Sequence, residues 1–182
     1  MKLAALASRV RAEFFPARDE FDRAHGTDTS GLVSLFRLQV SSPNKKFGVR
    51  YQPCVPAFFN NSIAGIDRDR SFIDLGCGKG RVLIMAREAG FRRIVGVEFS
   101  PVLADIARKQ CPFAEVITED AAQYVFPKES LCVFMFNPFG LTVLSKVVSH
   151  LPADSILVYV NPQHPMDIPT VRVGSGFRVY RT

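Results

Sequence analysis

The chain has 182 residues, of which 47 % are apolar and 22 % charged, a composition typical of a soluble globular protein that excludes a disordered chain. Its net charge of +6 is spread along the sequence without a run of five like charges, so a nucleic-acid-binding tail is not indicated. No apolar stretch reaches about 18 residues, and Arg9 and Arg11 interrupt the apolar start. We therefore expect a single, cytoplasmic domain with no membrane association.

The cysteines give a further exclusion. Cys54, Cys77, Cys111 and Cys132 are widely spaced and form no CxxC pair. A zinc knuckle and a redox-active dithiol both require closely spaced pairs. We expect four reduced thiols and no metal site.

The first 70 residues carry a weak pattern. Residues 3–24 predict one or two amphipathic helices, residues 25–31 a loop, and residues 55–66 a helix that leads into the first core strand. We expect this N-terminal extension, residues 1–70, to form a lid and a substrate surface over residues 71–182.

From residue 71 onward, short apolar runs alternate with helical patterns. Strands are predicted at 71–75, 93–97, 113–118, 131–136 and 155–160, and helices at 80–89, 101–110, 121–124 and 141–150. Such alternation predicts an α/β fold with a doubly wound, mostly parallel sheet. The segment TVRVGSGFRVYR, residues 170–181, predicts an antiparallel hairpin at one edge of that sheet.

The segment SFIDLGCGKGRVLIM, residues 71–85, runs from the first strand through three glycines into a helix. In an open α/β sheet, ligands bind beyond the carboxyl ends of the strands, which places Asp74 to Gly80 in the site. Gly76, Gly78 and Gly80 give G-x-G-x-G instead of the dinucleotide spacing G-x-G-x-x-G, and the phosphate-loop pattern is absent. A nicotinamide dehydrogenase is therefore the weakest alternative.

Acidic residues at three predicted strand ends suggest another ligand. Asp74 would repel a pyrophosphate but can accept hydrogen bonds from an ammonium group. Glu98, 24 positions later, can accept from both hydroxyls of a ribose. Asp120, or the backbone beside it, can meet an adenine amino group. Ammonium, ribose and adenine together indicate S-adenosylmethionine.

The motifs DLGCGKG, VGVE and TED, in this order on successive strand ends, resemble the class I S-adenosylmethionine-dependent methyltransferases, which have a Rossmann-like sheet. The resemblance implies that Asp74 holds the amino-acid end of the cofactor, Gly76 and Gly78 pass close to its methionine, Glu98 binds the ribose and Asp120 the adenine. Cys77 and Gly80 complete the expected cofactor-binding loop. GTDTSG and Tyr51-Gln52-Pro53 further resemble small bacterial methyltransferase-like proteins of unknown acceptor.

The methyl acceptor is predicted from FMFNPFG, which ends the fourth strand beside the cofactor site. Methyltransferases that act on amino nitrogens carry an Asn-Pro-Pro-Tyr type motif here, and Asn137-Pro138-Phe139 resembles it with one proline missing. Asn137 could accept a hydrogen bond from an attacking amine, while Tyr51 and Phe139 could form aromatic walls. His25 and His164 are candidate bases only because they lie in loops.

The sequence thus favours an N-directed methyltransferase that acts on a protein side chain or a small amine. Two alternatives remain. One is a cofactor-binding module without catalysis, and the other is an RNA methyltransferase, which the positive net charge favours.

Overall fold

The structure is a computed structural model that describes residues 18–38 and 40–182. Of the helices predicted at residues 3–24, the part before residue 18 lies outside these ranges, and the described part contains one short helix, Glu20–His25. The described helices are α1 (Glu20–His25), α2 (Pro56–Ile63), α3 (Arg81–Glu88), α4 (Pro101–Gln110) and α5 (Leu141–His150). The strands are β1 (Ser71–Leu75), β2 (Ile94–Glu98), β3 (Glu115–Thr118), β4 (Leu131–Phe136), β5 (Ile156–Val160), β6 (Thr170–Gly174) and β7 (Phe177–Arg181).

These seven strands form one sheet in the order β3-β2-β1-β4-β5-β7-β6. The first five pair in parallel, and β7 pairs antiparallel with both β5 and β6. The strand order reverses direction at β1, where one half of the chain winds outward through β2 and β3 and the other through β4 and β5. The predicted doubly wound sheet with its terminal hairpin is confirmed.

Alternate strand residues supply the two layers of the core. Phe72 and Phe134 point to one face, where they pack with α2 and α3, while Ile73 and Val133 point to the other, where they pack with α5. Because side chains alternate along a strand, two apolar neighbours in sequence are buried on opposite faces. All five residues of β1 are buried, as expected for a central parallel strand.

Two predicted elements differ from the structure. Residues 121–124, predicted as a helix, form a hydrogen-bonded turn closed by bonds from Gln123 and Tyr124 to the carbonyl oxygen of Asp120. The strand predicted from Phe113 begins only at Glu115, because the chain is still in a turn at Pro112, which has no N–H to donate to the sheet.

The N-terminal extension crosses the carboxyl ends of the strands. After α1 and a loop, it makes short 3₁₀ turns at Leu35–Arg37 and Pro43–Phe47 and then reaches α2. Isolated antiparallel bridges join Val33 to Tyr51 and Gly48 to Phe139. Within the described ranges, no helix is both long and apolar enough to cross a lipid bilayer.

Candidate functional site

A cleft of about 870 Å³, its open mouth included, lies where β1, β2 and β4 end. The core contributes Asp74, Gly76, Cys77, Glu98, Asp120, Pro138 and Phe139 to its walls, and the N-terminal extension contributes Asn44 and Gly48 to Cys54. The structure therefore brings most of the predicted site residues together.

The glycine-rich loop owes its course to backbone geometry. The N–H groups of Gly76 and Cys77 both donate to the carbonyl oxygen of Val97, at 2.8 and 3.1 Å, so that the loop turns across the end of β2. Gly76, Gly78 and Gly80 all have left-handed φ angles, of +80°, +56° and +91°. Residues other than glycine are disfavoured at these φ angles, so the loop needs glycine at all three positions.

Protein side chains also occupy the space above these glycines. A Cβ atom on Gly76 would lie 2.6 Å from Cβ of Pro138, and one on Gly78 would lie 2.2 Å from the Tyr51 ring. Gly80 packs against Ala107 of α4 and against Cys111, the residue that follows α4. Gly78 and Gly80 do not line the cleft, so their predicted contact with the cofactor stays a prediction.

Asp74 is the unpartnered acid of the site. It is only 2 % exposed, and among the described residues no group donates a hydrogen bond to its carboxylate. Burial, and secondarily the negative charge of Glu98, raises the pKa of Asp74 well above its usual value. A buried carboxylate without a donor is costly, and a cationic ligand would remove that cost.

Glu98 closes the end of β2 against the glycine-rich loop. Its Oε2 accepts from the N–H of Gly78 at 2.9 Å and its Oε1 from the N–H of Ser100 at 2.8 Å. Burial raises the pKa of Glu98 to about 7, although these backbone donors act in the opposite direction. A carboxylate offers roughly four acceptor positions, so Glu98 keeps capacity for ligand hydroxyls.

Asp120 is already engaged by the protein. Its Oδ1 accepts from the N–H of Ala122 at 2.9 Å, and its Oδ2 accepts from Nδ2 of Asn44 at 2.9 Å and from the Ser42 hydroxyl. Ser42 and Asn44 are site residues that the sequence analysis missed, because they lie 78 and 76 positions from Asp120.

Residues 42–54, termed the covering segment, close one side of the cleft. The N–H of Val49 donates to the carbonyl oxygen of Pro138 at 3.2 Å, and the N–H of Gly140 donates to that of Phe47 at 2.7 Å. The covering segment is therefore paired with the loop after β4 and bonded to Asp120 after β3.

Asn137 is not in the cleft wall. Its Oδ1 accepts a hydrogen bond of 3.2 Å from the Tyr159 hydroxyl, and its backbone is left-handed, with φ of +41°. Neither candidate base lines the cleft: Nε2 of His25 lies 2.8 Å from Oε1 of Glu88, and His164 is outside the wall. Pro138, Phe139 and Tyr51 do line it, as predicted.

Comparison with known proteins agrees with this geometry. Residues 72–152 match the family model of a methyltransferase domain. A search of the curated proteins finds no match.

Two solved structures illustrate the fold. The RNA methyltransferase from Salinibacter ruber, in complex with S-adenosyl-L-homocysteine, is 24 % identical, with a TM-score of 0.53 over 71 % of this chain and 91 % of that one. Geranyl diphosphate C-methyltransferase from Streptomyces coelicolor A3(2) is 18 % identical, with a TM-score of 0.51 over 58 % of this chain and 43 % of that one. The present chain thus spans less than half the length of the second protein. The chain therefore has the fold of these methyltransferases, and residues 72–152 of that fold match a methyltransferase domain.

Proposed function

We propose that the protein transfers the methyl group of S-adenosylmethionine to a nitrogen of a protein side chain or a small amine. The observation that carries the cofactor assignment is the buried Asp74 carboxylate, which faces the cleft without a hydrogen-bond donor from the described residues, beside Glu98 on the next strand. When bound, S-adenosylmethionine supplies an activated methyl group, so alignment and exclusion of water can provide most of the acceleration.

The residues present fit this cofactor. Asp74 would accept from its ammonium group, and Glu98 would accept from the ribose hydroxyls with the acceptor positions that Gly78 and Ser100 leave free. Gly76 and Cys77 line the cleft beside Asp74 and would flank the methionine. Asp120 is held by Ser42 and Asn44, so its remaining Oδ1 acceptor position would meet the adenine.

The nitrogen acceptor is supported by the chemistry of the wall. Tyr51 and Phe139 present aromatic surface to the cleft, which suits a cationic or amine-bearing substrate. Asn137 adjoins Pro138 of that wall, and it would accept from the amine only after its Oδ1 exchanges the Tyr159 hydroxyl for the substrate. Asn137 is therefore proposed to orient the acceptor through a side-chain rearrangement.

Calorimetry tests the cofactor assignment. S-adenosylmethionine, S-adenosylhomocysteine and NAD are titrated separately into the purified protein and into Asp74→Ala and Glu98→Ala. We expect micromolar binding of the first two ligands only, and a loss of at least about tenfold in each variant, since each removes a charged hydrogen-bond acceptor. Asp105→Ala, on the exposed surface of α4, is the matched control. Binding of NAD instead, or unchanged affinity in both site variants, would overturn the assignment.

The role of Asn137 is tested by two substitutions with different backbone consequences. Asn137→Gly removes the amide but keeps the left-handed conformation accessible, whereas Asn137→Ala removes the amide and strains the backbone. An acceptor is first sought by transfer of a labelled methyl group to components of a cell extract. If the amide orients the acceptor, both variants lose turnover and keep cofactor affinity. Full turnover in Asn137→Gly would remove the side chain from the mechanism.

An RNA acceptor is the second candidate. Lys45, Lys46 and Arg50 lie in the covering segment, and Arg50 lines the cleft itself. Phosphate contacts release counterions, so RNA binding at this surface would weaken steeply with salt. Label found in RNA, together with salt-dependent binding that Arg50→Ala reduces, would favour this candidate over a protein or small amine. A protein that binds the cofactor and labels nothing would instead be a non-catalytic module.

A further inference from the structure

A second buried carboxylate, Asp22, lies outside the cleft and organises a loop of the N-terminal extension. Asp22 is fully buried. Its Oδ1 accepts from the Thr27 hydroxyl at 2.7 Å and from the N–H and hydroxyl of Thr29 at 2.8 and 2.6 Å, and its Oδ2 accepts from the N–H of Ser30 at 2.7 Å. Residues 27–30 are thereby wrapped around one carboxylate.

This loop presents two backbone carbonyls to the cofactor site. The carbonyl oxygen of Thr29 accepts the Tyr51 hydroxyl, and that of Ser30 accepts Nζ of Lys79 at 2.7 Å. Tyr51 covers Gly78, and Lys79 is the next residue of the glycine-rich loop. One four-residue loop therefore holds both a wall of the cleft and the loop beneath it.

Arg81 ties the same loop to the start of α3. Its Nε donates to the Thr29 hydroxyl oxygen at 2.7 Å, and its guanidinium lies 3.5 Å from Oδ2 of Asp22 and 2.7 Å from Oδ2 of Asp19. The basic residues of the GKGR motif are thus committed to the N-terminal extension, which indicates that they position the glycine-rich loop.

We propose that Asp22 is a positioning residue of the cofactor site, acting through residues 27–30 to hold Tyr51, Lys79 and Arg81 against the glycine-rich loop. That the positioned residues belong to a cofactor site rests on the proposed function. The connection from Asp22 to Tyr51 rests on the observed contacts alone. No sequence motif of the fold's cofactor loop includes Asp22, which lies 52 positions before Asp74.

The chemistry of the loop requires a carboxylate. All four short bonds to Asp22 come from N–H or O–H donors, and a carboxylate has acceptors only. An asparagine at this position would turn N–H donors toward other donors and leave the buried Arg81 without part of its counter-charge. Leaving such groups unsatisfied is far more costly than losing one bond.

The experiment compares Asp22→Asn with Asp28→Asn in protein labelled with 3-fluorotyrosine. Asp28 lies in the same loop but pairs with Arg18 near the surface, so it is the matched control. The chain has four tyrosines, and Tyr51→Phe identifies the Tyr51 resonance in the fluorine NMR spectrum. We expect Asp22→Asn to shift or broaden that resonance alone and to weaken S-adenosylhomocysteine binding by about tenfold or more. Asp28→Asn should leave both unchanged.

A double-mutant cycle then tests the route. If Asp22 acts through the Tyr51 hydroxyl, the loss caused by Asp22→Asn becomes smaller in a Tyr51→Phe background. Thr27→Val removes one donor to Asp22 and provides a milder variant should Asp22→Asn not fold.

An unchanged Tyr51 resonance in Asp22→Asn, or in Thr27→Val if that is the folded variant, would overturn the inference. Failure of the unmodified protein to bind S-adenosylhomocysteine would contradict the proposed function, whereas the resonance reports the connection from Asp22 to Tyr51 without ligand.

Discussion

At the scale of single residues, two glycines shape the site, because they have no side chains and leave space for neighbouring residues. Gly76 and Gly78 leave room for Pro138 and Tyr51, which pack where a Cβ atom would otherwise lie. The glycines therefore let the covering segment and the loop after β4 approach the cofactor loop. They serve the protein's own packing as well as the ligand that their spacing predicts.

Gly78→Ala separates this packing from backbone strain. Gly65 is the control, since it also has a positive φ, of +74°, but a Cβ atom there would have no atom within 4 Å. Gly65→Ala should lower the free energy of unfolding by about 1 kcal/mol, because alanine is strained in the left-handed backbone conformation. Gly78→Ala should cost more and also weaken S-adenosylhomocysteine binding, because the new methyl group displaces Tyr51. Urea unfolding and calorimetry measure the two effects, and equal losses in both variants would contradict the packing explanation.

At the scale of elements, the covering segment closes one side of the cleft, and we expect it to limit the release of a ligand. Its bonds from Ser42 and Asn44 to Asp120 join it to the end of β3. The double variant Ser42→Ala/Asn44→Ala lacks both hydrogen bonds to Asp120. It should release S-adenosylhomocysteine about tenfold faster, since hydrogen bonds to a charged acceptor are stronger than those between neutral groups.

Stopped-flow displacement measures this rate. Ser149→Ala, which removes an exposed hydroxyl from α5, is the control and should leave it unchanged. A dissociation rate that is the same in the double variant as in the unmodified protein would show that the covering segment does not limit release.

Elements with a strong local pattern could be predicted from the sequence. The bounds of α4, β4 and α5 coincide with the prediction, since α4 begins at a proline after the cap Ser100 and β4 is a continuous apolar run. The turn after Asp120 was mistaken for a helix, because its bonds to Gln123 and Tyr124 make a single turn that no further bond extends.

The sequence placed residues of the cleft correctly where strand ends define their position; their roles stay predictions. Asp74 and Glu98 each lie at or near the carboxyl end of a strand, and parallel strands bring such ends to one edge of the sheet. The roles of Asp22, Ser42 and Asn44 could not be predicted, because they depend on contacts between residues far apart in sequence. Asn137 was expected in the cleft, but its left-handed backbone and the Tyr159 hydroxyl hold its side chain elsewhere.

At the scale of the whole molecule, the buried acids make the stability of the unliganded protein depend on pH in opposite directions. Burial raises the pKa of Asp22, but the hydrogen bonds from Thr29, Ser30 and Thr27 outweigh it and hold that pKa well below its usual value. Asp22 therefore stabilises the fold above its unfolded pKa of about 4, and this contribution is lost as the pH falls further.

Glu98 acts in the opposite sense. Burial raises its pKa from 4.5 to about 7, so between these values the folded protein binds more protons than the unfolded chain. Stability then falls as the pH rises through that window. The raised pKa of Asp74 acts in the same direction.

We therefore expect these acids to raise the thermal unfolding temperature of the unliganded protein most near pH 4 to 5. Glu98→Gln should flatten the decline between pH 4.5 and 7, whereas His25, whose pKa is raised above 6.5, adds a decline above that value. S-adenosylhomocysteine should oppose the decline, because its ammonium and ribose groups favour the ionised acids, and its binding should release protons. Calorimetry in buffers of different ionisation enthalpy measures that release. A binding enthalpy that does not depend on the buffer at about pH 6.5 would mean that Asp74 and Glu98 do not ionise when the ligand enters.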